Sequence, residues 1–332
     1  MKVIIPLAGL GKRMRPHTWS KPKPLLQVAG KPVLGHVLDK FLPIKPSEVI
    51  FITGWLGDQI TDYVSANYDL PAHYVEQTEL KGQAHAIYLA REFLSGPCII
   101  VFVDTLFEAD LTGLVESGLD GVLYVKEVPD PRRFGVVVEE AGRVTQLIEK
   151  PEDDTYRNVM VGLYYGREGL DLVRAIETLI KDNRQTKGEF YLADALQVMI
   201  EDGARFGTCQ VGVWEDCGTP EALLHTNRYL LANGHAQAGE VSESVVIEPV
   251  YIAASAQIER SVVGPYVTVG ANAHISNTVI RDAIVEEGAS IRNMIVANAL
   301  VGQNAQALGM TASLNIGDDV VVDMSSSAAN DL

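Results

Sequence analysis

Four apolar residues towards the end of this 332-residue chain stand at almost even steps: Ile258, Ile275, Ile291 and Ala307, at intervals of 17, 16 and 16. Val262, Val279 and Ile295 keep the same step, and so do Val269, Val285 and Val301. Each period thus holds three apolar points separated by small or polar residues. A chain that turns three corners per coil places those points in stacked columns. One coil cannot bury its own apolar face, but neighbours stacked on it can. The spacing predicts a β-helix over residues 240–323; a small β-sandwich is the competing arrangement, and evenly stepped columns suit it less. Composition changes at the same place. Residues 240–332 hold three basic residues (Arg260, Arg281, Arg292), and Tyr251 and Tyr266 are their only aromatics. The closing stretch, 324–332, is small and polar and predicts a flexible tail.

Upstream the periodicity is different. Residues 2–8, KVIIPLA, read as a buried strand ended by Gly9 and Gly11. Apolar residues at 33, 34, 37, 38, 41 and 42 have helical spacing. Strands at 48–53, 72–76 and 98–103 alternate with helices at 57–67 and 83–94. Strand-like stretches follow at 121–126, 135–139, 159–165 and 211–214, and helices at 169–181, 191–201 and 220–232. Strand and helix in alternation predict a parallel sheet with helices on both faces, here forming a domain over 1–235. Ligands of such sheets sit beyond the carboxyl ends of the strands. The glycine loop after residue 8 and Asp104 therefore share one rim.

No apolar run reaches the ~18–20 residues that span a bilayer, and the opening MKVIIPLAGLGKR lacks the layout of a signal peptide. Cys98, Cys209 and Cys217 have no metal-type spacing and read as reduced thiols, so a cytoplasmic protein is expected. A net charge of −16 argues against nucleic-acid or anionic-membrane binding. Yet residues 1–50 carry nine cations (Lys2, Lys12, Arg13, Arg15, Lys21, Lys23, Lys31, Lys40, Lys45) against Asp39 and Glu48. A basic island in an acidic chain suits a polyanion, and equally a solvated surface.

Residues 7–32, LAGLGKRMRPHTWSKPKPLLQVAGKP, decide between these. Gly9 and Gly11 let backbone N–H groups approach a ligand closely. Arg13 offers a planar fork for phosphate oxygens. Lys21 and Lys23 follow on a proline-stiffened stretch as point charges. Together they suit a triphosphate cradle. The stretch is neither a P-loop, lacking the GK[ST] ending, nor a dinucleotide fingerprint, since it does not run straight into a helix.

This segment resembles the signature of the sugar-1-phosphate nucleotidylyltransferases, in Gly9-Leu10-Gly11, Arg13, Pro16-His17-Thr18 and Lys23-Pro24. Lys12 stands where threonine is usual and Gln27 where proline is; neither change removes a charged group. Shorter matches follow in order over residues 1–232: Gly82-Gln83-Ala84, Asp104, Phe134-Gly135-Val136, Glu149-Lys150-Pro151, Val161-Gly162 and Asp216. The resemblance implies a Rossmann-like α/β fold: a mixed, mostly parallel sheet flanked by helices. The repeat that follows resembles a short left-handed hexapeptide-type parallel β-helix.

The same resemblance implies roles. Leu7, Ala8, Gly9, Gly11, Lys12, Gly82 and Gln83 would hold the nucleotide, and the Gln83 amide would read a pyrimidine edge. Arg13 would hold the β- and γ-phosphates and Lys23 the α-phosphate. Gly135, Glu149, Lys150 and Gly162 would hold the sugar phosphate, and Asp104 and Asp216 a Mg²⁺ ion. The implied reaction joins a nucleoside triphosphate, dTTP or UTP, to a sugar-1-phosphate, glucose-1-phosphate foremost, with loss of pyrophosphate. GTP with mannose-1-phosphate is the alternative pair. A non-catalytic, nucleotide-sugar-sensing subunit is a further alternative, though such proteins usually lose one of the charged groups retained here. Acyl transfer by the repeat would require a catalytic histidine, and the repeat holds only His274. A structural or assembling role, as in a homo-oligomer, is the expectation for it.

Overall fold

The computed structural model describes residues 1–310. The end of the expected repeat, 311–323, and the expected tail, 324–332, lie outside the described residues. The first unit opens with β1 (Lys2–Pro6), the short hairpin β2 (Gln27–Val28) and β3 (Lys31–Pro32), α1 (Val33–Phe41), β4 (Glu48–Thr53), α2 (Gly57–Asn67) and β5 (Ala72–Glu76). It continues with α3 (Gln83–Leu89), β6 (Cys98–Val101), β7 (Thr105–Glu108), β8 (Gly121–Glu127), β9 (Gly135–Glu140), β10 (Arg143–Glu149) and β11 (Asn158–Gly166). It closes with α4 (Gly169–Lys181), α5 (Leu192–Glu201), β12 (Phe206–Gln210), β13 (Val213–Asp216) and α6 (Pro220–Leu230).

The main sheet runs β10-β9-β11-β6-β1-β4-β5, with β8 against β11 and β12. It is mixed. β6, β1, β4 and β5 are parallel neighbours, whereas β11 joins β6, β8 and β9 antiparallel. β1, β4 and β6 read as nearly continuous apolar runs because both their faces are covered, whereas β5, at the sheet edge, is only half-buried. Val3 and Ile5 of β1 point into one core with Val33, Val37 and Phe41 of α1. Ile4 points into the other, with Ile87 of α3 and Ile176 of α4. The expected helix over 83–94 stops at Leu89 and ends in a 3-10 turn, Arg91–Phe93.

The repeat forms parallel coils. Its strands are β14 (Val245–Val246), β15 (Val250–Ile252), β16 (Gln257–Glu259), β17 (Val262–Val263), β18 (Val267–Val269), β19 (His274–Ser276), β20 (Val279–Val285), β21 (Ser290–Arg292), β22 (Ile295–Val301) and β23 (Gln306–Leu308). The register reproduces the step read from sequence: Ile258 pairs with Ile275, Ile275 with Ile291, and Ile291 with Ala307. Ile258, Ile275 and Ile291 are buried, and each such side chain contributes about 1.5–3 kcal/mol. The column Val262, Val279, Ile295 pairs as expected but faces outward, with Ile295 86% exposed. The inward column is one residue further on, at Val263, Ile280 and Val296, since successive strand side chains point to opposite faces.

The two units pack together along α6. Asn227 is fully buried, and its carbonyl oxygen accepts from the Ala29 amide at 2.9 Å and the Thr268 hydroxyl at 2.6 Å. Arg228 grips Asp282 with both arms of its fork, Nε to Oδ1 at 2.6 Å. The three cysteines are free thiols, Cys98 and Cys217 buried. Among the described residues no helix is long and apolar enough to cross a membrane.

Candidate active site

Two adjoining hollows, of about 300 and 310 Å³, open beyond the carboxyl ends of β1, β5 and β6. Gln83, Phe102 and Asp104 line both, so the two form one cleft with a shared wall. Leu7, Ala8, Gly9, Lys23, Gly82 and Gln83 line the first. Arg13, Gly135, Glu149, Lys150, Gly162 and Asp216 line the second.

The first hollow is built on the exit of β1. The Leu7 amide donates to the Ile52 carbonyl at 2.7 Å, which extends the β1–β4 ladder and delivers Ala8 and Gly9 to the rim. The loop beyond folds into two 3-10 turns, Lys12–Met14 carrying Arg13 and Lys23–Leu25 carrying Lys23. Thr18 Oγ1 closes the loop by donating to the Gly11 carbonyl at 2.9 Å. Gln83 opens α3 beside Gly82. The backbone at Gly82 has φ +107°, and a Cβ there would lie 2.5 Å from the Phe190 carbonyl oxygen, so only glycine fits.

The acidic pair comes from a strand pairing. β13 runs antiparallel to β7 with Asp216 opposite Thr105, and the Cys217 amide donates to the Asp104 carbonyl at 2.9 Å. Residues 112 positions apart in sequence thus become neighbours in one ladder. Asp216 Oδ1 also accepts from the Gly218 amide at 2.7 Å. A Cβ on Gly218 would lie 2.7 Å from Asp216 Oδ1 and 3.0 Å from Arg13 Nη2, so both groups converge there. Across the cleft Lys23 Nζ stands 3.5 Å from Asp104 Oδ2.

The far wall is β9, β10 and β11. Gly135 pairs with Glu149 across β9 and β10. A Cβ at Gly135 would lie 2.8 Å from Glu149 Oε2, so the glycine lets that carboxylate in. Burial, the largest influence on it, pushes the Glu149 pKa up. Lys150 has φ +52°, and its ammonium donates to the Tyr191 hydroxyl at 3.1 Å. That bond raises the Lys150 pKa and keeps it a cation. Gly162 lies where the β11–β8 register shifts, between Met160 and Tyr164.

Three sequence readings change in the structure. Gly11 and Lys12 line neither hollow; Gly11 starts the Arg13 turn and Lys12 is exposed. Lys21, read as a cradle charge, turns away from the cleft and pairs with Glu286 of the repeat at 2.5 Å. Sequence reasoning missed Tyr191, and also Trp214, whose ring meets Phe134 edge-on at 5.0 Å in the second hollow. Period-2 spacing on one strand face, Trp214 to Asp216, was the available signal for the latter. Among the described residues no cluster of three or more His, Cys, Asp or Glu could hold a metal. Asp104 lines both hollows and Asp216 the second; Asp104 immediately precedes β7, and Asp216 ends β13, the strand joined to it at the cleft.

A mixed α/β sheet with a cleft of cations and carboxylates at its strand ends, continued by parallel coils, defines the class: an α/β protein carrying a coil unit. Residues 2–233 match the Nucleotidyl transferase family, and residues 225–324 match the family described as GlmU-like, C-terminal hexapeptide. The chain belongs to the Nucleotidyl transferase family. It is 30% identical over 250 residues to the bifunctional protein GlmU of Methanocaldococcus jannaschii, covering 75% of this chain but 59% of that protein. It is 28% identical to a glucose-1-phosphate thymidylyltransferase of Streptomyces antibioticus, covering 92% of this chain and 93% of that one. The solved structure of a UDP-glucose pyrophosphorylase with UDP-glucose superposes at a TM-score of 0.61, covering 70% of this chain and 98% of that one. At 20% identity that likeness speaks for the fold.

Proposed function

We propose that this chain transfers a nucleotidyl group from a pyrimidine nucleoside triphosphate, dTTP or UTP, to a sugar-1-phosphate, glucose-1-phosphate foremost, releasing pyrophosphate. One observation carries the reading. Lys23 lines one hollow, Arg13 and Lys150 line the other with Asp216, and Asp104 lines both, so three cations and two carboxylates share a single cleft. Two anions that repel one another need this arrangement in order to meet. The thymidylyltransferase that matches over nearly its whole length supports the choice of substrates. The coil unit, 240–323, is read as structural and as a surface for self-association, and residues 1–235 as the transferase.

In this reading the sugar-phosphate oxygen attacks the α-phosphorus in line with the departing pyrophosphate. The attacking phosphate is already ionised near neutral pH, so no general base is required. Lys150, held by Tyr191, fixes the attacking group, while Lys23 meets the α-phosphate and Arg13 the β- and γ-phosphates. The work is positioning and stabilisation of developing charge. Gln83 at the rim supplies one donor and one acceptor to a pyrimidine edge. Asp104 and Asp216 would hold Mg²⁺, which typically takes one or two carboxylates and completes its shell with phosphate oxygens and water. Two carboxylates without a protein cage fit that habit. When bound, the ion would neutralise charge on the polyphosphate.

A matrix of dTTP, UTP and GTP against glucose-, N-acetylglucosamine- and mannose-1-phosphate, read by pyrophosphate release, tests the proposal. The expected result is highest kcat/KM for dTTP or UTP with glucose-1-phosphate. Release with no pair at all would contradict it.

A further inference from the structure

Glu286 is a carboxylate on the coil unit, yet its side chain serves the loop of the other unit. It follows β20 and is only 5% exposed. One oxygen accepts from the Lys21 ammonium, and the other accepts from the Gln27 backbone N–H at 3.0 Å. These contacts fall on either side of the turn Lys23–Leu25 that carries Lys23. Met14, His17 and Leu26 of the loop line a small cavity with Glu286, Ile284 and Leu300 of the coils. Burial lowers the His17 pKa against the opposing pull of Glu286, and the ammonium in contact with Glu286 is that of Lys21. The backbone of Glu286 is fixed by the next coil, its amide donating to the Val301 carbonyl at 2.9 Å.

We propose that Glu286 is a positioning residue for catalysis: by clamping Lys21 and the Gln27 amide it holds the turn bearing Lys23 at the cleft. The inference rests on the transferase reading given above. A buried carboxylate with two partners on one loop costs desolvation unless both are kept, so the loop has one favoured setting while the coils are in place. The coil unit then does more than stand beside the transferase; part of the active-site loop is fastened to it. Displacing a reacting group by about an ångström costs on the order of a hundredfold in rate.

The test uses the full chain with three substitutions. Glu286→Ala removes both contacts. Glu286→Gln keeps an acceptor for the Gln27 amide and loses the ion pair. Asp282→Asn weakens the Arg228 contact, which joins the same two units without touching the loop. Glu286→Ala should lower kcat about a hundredfold and Glu286→Gln about tenfold, with KM values within about threefold. Asp282→Asn should stay within about twofold of the wild type. Amide exchange over residues 12–27 should speed up at least about tenfold in Glu286→Ala and hardly change in Asp282→Asn. Unchanged kcat in both Glu286 variants, unchanged loop exchange, or an equal kcat loss in Asp282→Asn would overturn the proposal. Absence of turnover in the wild type would instead count against the transferase reading, and the exchange data would still decide whether Glu286 fastens the loop.

Discussion

Asp216→Asn is expected to lower kcat by about a thousandfold, a barrier increase of ~4 kcal/mol, with the thermal midpoint within a few degrees of the wild type. Asparagine is the informative replacement. Asp216 Oδ1 accepts from the Gly218 amide at 2.7 Å, and an amide oxygen retains that bond. The β7–β13 pairing relies on backbone groups and is also untouched. What disappears is the charge, and with it one of two carboxylates able to hold Mg²⁺ against the polyphosphate. The Mg²⁺ concentration for half-maximal rate should rise in parallel. Near-normal turnover at ordinary Mg²⁺ would remove Asp216 from the metal site.

Arg13→Ala is expected to reduce kcat/KM for the nucleotide by about a hundred- to a thousandfold, as loss of a donor aimed at developing charge does. Arg13 is exposed, and its turn is anchored by the fully buried Met14, so the fold should tolerate the change. Arg13→Lys should recover only part of the loss, since a point charge cannot reproduce the planar fork. Steady-state kinetics across Mg²⁺ concentrations check this. Full recovery by lysine would mean that charge alone matters at this position.

How much of this was legible in the sequence depended on how far apart the partners lie. β1, β4 and β6 were readable because both faces are buried and the strands are almost purely apolar. The coil register was readable because its partners recur every 16 or 17 residues. β7 (Thr105–Glu108) was missed because it is four residues long and follows β6 closely. β10 was missed because only Val144 and Leu147 of it are buried, and charged residues occupy both ends. The family signature marked Asp104, Glu149, Lys150 and Asp216 one by one. Their convergence depends on the β7–β13 and β9–β10 pairings, which no local pattern encodes. Lys21 shows the limit most clearly. Its spacing from Lys23 suggested a second phosphate contact, but its partner Glu286 stands 265 residues away. Lys21 pairs with the buried Glu286 carboxylate instead of lining the cleft, and sequence proximity carries no information about that partner.

The most direct measurement is a crystal structure of the full chain with the preferred nucleotide and Mn²⁺ in place of Mg²⁺, the metal located by its anomalous signal. The expected map has the metal coordinated by both Asp104 and Asp216, the base against Gln83, and the terminal phosphates towards Arg13. A metal peak distant from either carboxylate, or a nucleotide seated with its base among Gly135, Glu149 and Lys150, would contradict the assignment of the cleft.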